Sequence, residues 1–133
     1  MARFKRFVLA TLWMAAGLMI GSAAEAQCIE GNPEMVCDVA TCLTLQGIVN
    51  GTCKGPAGPR TCQGIDGCAP LTAERNKFVA CLAAREEVKA TCFPFGTSHD
   101  QARSDTENAI RKCETRMARP KPLGCTEPED PCS

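Results

Sequence analysis

The chain has 133 residues, 15 basic and 15 acidic side chains, eleven cysteines, one histidine and no tyrosine. Balanced charge gives no global pull toward nucleic acid or an anionic membrane, and so few aromatics leave no stacking platform for bases or sugars. The length suits one small domain rather than several.

At the N-terminus, Arg3, Lys5 and Arg6 precede an apolar run from Phe7 to Ile20, and small residues from Gly21 end in Ala24-Glu25-Ala26. A basic start, a short apolar stretch and an A-x-A site predict a signal peptide over 1–26, cleaved after Ala26. The apolar run is shorter than the roughly 20 residues a spanning helix needs, and no later segment is apolar enough, so no membrane span is expected. Removal of Arg3, Lys5, Arg6 and Glu25 leaves 12 basic against 14 acidic residues in 27–133. The expected location is secreted or periplasmic.

All eleven cysteines fall within 27–133, beside only 17 Leu, Ile, Val and Phe residues. A core that thin predicts a disulfide-stapled fold. Eleven is odd, so one thiol stays free, is capped, or bridges to a second chain as an intermolecular disulfide dimer.

Residues 27–70 form a Cys-rich segment with six cysteines and one helix signal: Asn32 as N-cap, Pro33 at the first position and Gly47 as stop. Met35, Val36, Val39 and Leu43 would form its apolar stripe. Gly55-Pro56-Ala57-Gly58-Pro59-Arg60 resembles two collagen triplets, too few for a triple helix, and reads as a loop. Residues 71–118 read as a helical hairpin. Thr72 caps a helix to about Cys92, with Phe78, Cys81, Leu82, Val88 and Cys92 on one face. Phe93-Pro94-Phe95-Gly96 breaks it, and Ser98 with Gln101 forms a capping box for a second helix to about Ala118. His99, Ala102, Thr106, Ala109, Ile110, Cys113 and Met117 line its inner face, with Arg103, Glu107 and Arg111 as an i,i+4 charge ladder. Antiparallel packing predicts a Cys81–Cys113 disulfide. Residues 119–133 form a Pro-rich tail tied back through Cys125 and Cys132. The fold class is therefore all-α: a small disulfide-rich domain in which a Cys-rich segment with one helix packs on an antiparallel helical hairpin.

No C-x-x-C occurs and there is a single histidine, so no zinc-binding or thioredoxin-type spacing is present, and no metal or cofactor is expected. His99 sits in the first turn of the second hairpin helix, where the dipole favours the neutral imidazole that can act as a base; its bland reading is a hydrogen-bonded packing residue. Arg85 falls in the middle of the first helix's apolar arc, facing the small Ala102, Thr106 and Ala109. It is either an anion clamp or an arginine whose stem packs while its head reaches water. Arg111, Lys112, Arg116 and Arg119, with Lys121, gather at the end of the second helix, as a phosphate footprint or as cations complementing the dipole.

Arg85, then Cys92-Phe93 seven residues on, Gly96, His99, and Cys113 fourteen beyond it make a pattern. Over about Arg75 to Met117 it resembles the "novel toxin" domains at the C-termini of bacterial polymorphic secreted effectors. This chain has Phe93-Pro94-Phe95-Gly96-Thr97-Ser98, where those domains carry a Gly-Gly turn with an acidic residue. The resemblance implies a bacterial toxin with nuclease-type action and points to Arg85 and His99. Only under that reading does nucleic acid enter as a partner. Metal-independent attack on a phosphodiester would use His99 as base, with Arg85 or the Arg111–Arg119 group holding phosphate. The other expectation is a non-catalytic secreted structural, inhibitory or binding module of unknown target.

Overall fold

The computed structural model describes residues 27–54 and 61–132; the expected signal peptide and the Gly55–Arg60 loop lie outside them. Described residues form three helices: α1 Val39–Thr52, α2 Cys68–Cys92 and α3 Asp100–Met117. No strand occurs among them, only an isolated bridge between Pro120 and Thr126. The protein is all-α, with five disulfides.

The start of α1 differs from the expectation. Asn32 makes a turn, accepting the Glu34 N–H on its side chain and the Met35 N–H on its carbonyl. The helix opens later, where the Asp38 carboxylate accepts the Thr41 N–H at 2.6 Å. Between the two, the Cys37–Cys92 bridge and a hydrogen bond from Val36 N–H to the Cys92 carbonyl hold the chain against the end of α2. Gly47 does not stop α1, which continues to Thr52. Val36 and Leu43 face solvent; the buried positions are Cys42, Gln46 and Val49.

Helix α2 starts at Cys68 after Gly67, four residues before the expected cap Thr72. Pro70 fits inside the first turn, because an N–H there would have no helical partner. At 25 residues, α2 is the longest element, roughly 37 Å at 1.5 Å per residue. His99, rather than Ser98, precedes α3, with no side-chain cap, so the capping box does not form. Gln101 instead donates to Asp105. Nor does the Arg103–Glu107–Arg111 ladder form among the described residues, for Arg103 pairs with Glu86 and Asp100.

Arg75–Glu114, Glu86–Arg103 and Lys89–Asp100 pair along α2 and α3 in opposite order, so the helices are antiparallel. In that register Cys81 stands opposite Asn108, not Cys113. Cys81 turns to the end of α1 and bonds Cys53, while Cys113 bonds Cys62 before α2. The expected Cys81–Cys113 disulfide is therefore replaced by two others. Cys125 ties the tail to Cys68 as anticipated in kind, but Cys132 is the free, exposed thiol.

The core lies in two parts on either side of α2. One gathers Cys28, Cys42, Val49, Ala84, Val88, Cys92 and Phe93 between α1 and α2. The other gathers Cys62, Leu71, Phe78, Ala109 and Cys113 between α2 and α3. At the tail, Gly124 sits where a Cβ would run into the Arg119 carbonyl oxygen and lie 2.8 Å from that of Arg116. Those are backbone atoms and cannot swing aside. Gly124→Ala is expected to lower stability by about 1–3 kcal/mol, the usual scale of overpacking. Gly47→Ala, whose Cβ meets open space in mid-helix, should raise it by about 0.5–1 kcal/mol. Denaturant midpoints of the oxidised proteins measure both, and an unchanged Gly124→Ala midpoint would show that the tail does not pack this way.

Candidate functional site

The corner between the end of α2 and the start of α3 holds the histidine. His99 is only 6% exposed, and its ring lies 4.7 Å from that of Phe93, tilted by 35°. Cys92 and Phe93 are fully buried, which sets the imidazole against an apolar wall. Its Nε2 is buried and has no hydrogen-bond partner among the described residues. Lys89 closes the corner, with Nζ 3.0 Å from Asp100 and donating to the Gly96 carbonyl. Glu34 lies against Gly96 from the N-terminal side, its Oε2 within 2.9 Å of where a Gly96 Cβ would be.

The His99 pKa is lowered, first by burial and then by the nearby cations Lys89 and Arg85, while Asp100 and Glu34 pull the other way. Burial leads, where the sequence pointed to the helix dipole. The neutral form follows either way, but a buried Nε2 does not face bulk water.

Arg85 is half-buried on α2 and lines a small cleft with Thr52 and Lys54 from the end of α1, Glu74 and Lys77 on α2, and Thr106 on α3. Its Nε is buried with no hydrogen-bond partner. Burial lowers the guanidinium's pKa, partly offset by Asp105. No ion pair to Arg85 forms among the described residues, whereas Lys77 is paired with Glu74 at 3.1 Å. The cleft measures about 30 Å³. That is room for a water or one anionic oxygen, not for a base or a sugar. His99 does not line this cleft; Arg85 reaches the histidine only through its charge, which lowers the histidine's pKa. Sequence reasoning missed Lys54 and the Glu74-paired Lys77 at the Arg85 cleft, and Lys89 at the His99 corner; Lys89 follows Arg85 by one helical turn, the signal that marks it.

The C-terminal basic group sits elsewhere. Arg116 and Arg119 both reach Asp66, at 3.2 and 3.0 Å, and the Ile65 carbonyl. Arg119 also donates to the Leu123 carbonyl at 3.0 Å. These two guanidiniums clamp the loop before α2 to the tail. Arg111 donates to Asn108 on its own helix, and Lys112 is exposed on α3.

A family model described as Novel toxin 16 matches residues 34–116, which include all three helices save the last residue of α3. No curated protein and no solved structure shows significant similarity to the chain. Among the described residues no helix is long and apolar enough to cross a membrane.

The buried imidazole makes a pH prediction. Unfolded, His99 takes its ordinary value near 6.5; folded, its pKa is lower. The unfolded chain therefore binds the extra proton first. The stability this neutral imidazole contributes is complete above pH 6.5 and is lost as pH falls through the folded value. The melting-temperature difference between the wild type and His99→Gln should shrink on going from about pH 7.5 to about pH 5. Parallel curves would mean that the ring is solvated.

Proposed function

The chain belongs to the Novel toxin 16 family, and from that premise we propose an exported, nuclease-type effector that attacks phosphodiesters without a metal. The observation that carries this reading is Arg85, a half-buried guanidinium with an unpartnered Nε in a cleft flanked by Lys54 and Lys77. A cation so placed gains when an anionic oxygen arrives, because charge-assisted hydrogen bonds replace lost hydration. A cleft sized for one oxygen suits contact with a phosphate backbone rather than readout of a base, in keeping with a chain poor in aromatics.

His99 supplies the neutral nitrogen that a base needs. Opening of the Phe93–Ser98 turn would let it accept the proton of an attacking hydroxyl while Arg85 neutralises charge on the phosphoryl oxygens. The Arg111–Arg119 group is peripheral here, since Arg116 and Arg119 already clamp Asp66. A non-catalytic secreted binding or structural module is the second reading. The burial of His99 favours it, because a packed histidine needs no substrate.

Growth of a host expressing residues 27–133 with an export signal, beside a cytoplasmic form, tests the two readings together with cleavage of RNA and DNA oligonucleotides in chelator. Under the effector reading, cleavage persists with chelator and falls about 100-fold in Arg85→Gln, the scale of losing one donor to a transition-state oxyanion. Absence of both killing and cleavage by folded, oxidised protein would overturn the nuclease reading in favour of the non-catalytic structural, inhibitory or binding module.

A further inference from the structure

Four cysteines that take no part in the proposed chemistry lie near one place. The Cys28–Cys42 and Cys37–Cys92 bridges lie side by side, with the sulfurs of Cys37, Cys42 and Cys92 all within 4.8 Å of one another. The Cys28 sulfur, outside that group of three, is bonded to that of Cys42 and so brings a fourth sulfur to its edge. No other set of three Cys, His, Asp or Glu side chains converges this closely among the described residues. They come from separate pieces of chain: the first turn, the residue before the α1 cap, the first turn of α1, and the last residue of α2. The spacing hides the cluster, since Cys92 lies 50 residues beyond Cys42.

We propose that Cys28, Cys37, Cys42 and Cys92 form a redox-gated four-thiolate site that takes a thiophilic d10 cation, Zn2+, when the two bridges are reduced. Tetrahedral thiolate zinc has Zn–S bonds of about 2.3 Å, which place the sulfurs about 3.8 Å apart. Each bridged pair must open and the two pairs must draw together. With Cα atoms 5.5 and 4.7 Å apart across the bridges, side-chain rotation and a small backbone shift accomplish this.

The site has an entrance. An open groove of about 550 Å³ is lined by Glu30, Asn32, Met35, Cys37, Asp38 and Val39, so Cys37 is reached from solvent past two carboxylates. The Asp38 carboxylate, held by the Thr41 N–H at 2.6 Å, stands on this groove beside Cys37. Behind the sulfurs, Val49, Ala84, Val88 and Phe93 form an apolar backing.

The chemistry balances with a dithiol as reductant, the class that keeps thiols reduced inside cells. Two dithiols each pass two electrons and two protons to a bridge and become disulfides themselves, leaving four protein thiols. Zn2+ then binds four thiolates and four protons are released. The metal takes over the tie between α1 and the end of α2 where covalent bridges cannot persist.

The test uses purified protein, fully reduced, freed of reductant without air, and titrated with Zn2+ alone. One Zn2+ per chain should bind with recovery of helical circular dichroism. Alkylation mapped by mass spectrometry should then spare Cys28, Cys37, Cys42 and Cys92 and label the remaining cysteines. The double variant Cys28→Ser with Cys42→Ser should lose stoichiometric binding and the recovery of helix. Cys68→Ser with Cys125→Ser, at the far end of α2, should keep both. Absence of stoichiometric binding by the reduced wild type, protection spread over other cysteines, or equal binding by both double variants would each overturn the proposal.

Discussion

The covalent anchoring of α2 is the constraint on which the remaining structure depends. Its first residue, Cys68, its last, Cys92, and Cys81 between them bond to three different parts of the chain. Cys68 holds the tail, Cys81 the end of α1, and Cys92 the segment before α1. A helix pinned at both ends and in the middle cannot slide, and the two small cores on its opposite sides inherit their registers from it. α1 must run antiparallel to α2, because Cys37 precedes it at one end of the contact and Cys53 follows it at the other.

Neither core is large enough to impose this order by burial. The two contain twelve buried residues between them, five of those being bridged cysteines on one side or the other. The bridges act mostly on the unfolded chain. They span 14, 28, 51, 55 and 57 residues, and loop-closure entropy rises only slowly with length, so each removes about 3–4.5 kcal/mol of disorder in the chain-entropy model. That is comparable with burying one or two large apolar side chains apiece. Polar ties finish what the bridges begin: Arg116 and Arg119 converge on Asp66, and the Gly67 N–H reaches the Leu123 carbonyl, joining loop and tail beside the Cys68–Cys125 bridge.

The two hairpin helices and their buried faces were legible in the sequence because apolar spacing at 3.6 residues records which side meets a neighbour, whereas the stripe expected for α1 is not the face it buries. Phe78, Cys81, Val88 and Cys92 on α2, and Thr106, Ala109 and Cys113 on α3, are buried as that spacing requires. Helix starts were less legible because several residues there could cap. Asn32 satisfies a turn rather than a helix, and Asp38 takes the helix instead. Disulfide partners were not legible at all. The spacing put Cys81 and Cys113 on facing sides of the hairpin, but Cys81 turns to Cys53 at the end of α1 and Cys113 to Cys62 before α2. Local pattern carries no information about a partner brought in by a loop. The same blindness hid Glu34 beside Gly96 and His99, whereas Arg85 stood out because a cation in an apolar arc is locally anomalous.

Arg85 and His99 are two polar groups whose hydrogen-bonding capacity is unmet. Each has a buried nitrogen without a partner, and each carries less affinity for its proton than it would in water. Part of the pressure on His99 is the charge of Arg85 itself. An anion held at Arg85 offsets that charge, so anion binding and protonation of His99 favour each other, and linkage makes the effect reciprocal. Under the phosphodiester reading this coupling has the right direction: the imidazole gains affinity for a proton as the phosphate docks, which is when a base must accept one. Lys89, which lowers the histidine's proton affinity more than Arg85 does, is paired with Asp100 at 3.0 Å and keeps its effect when an anion docks at Arg85.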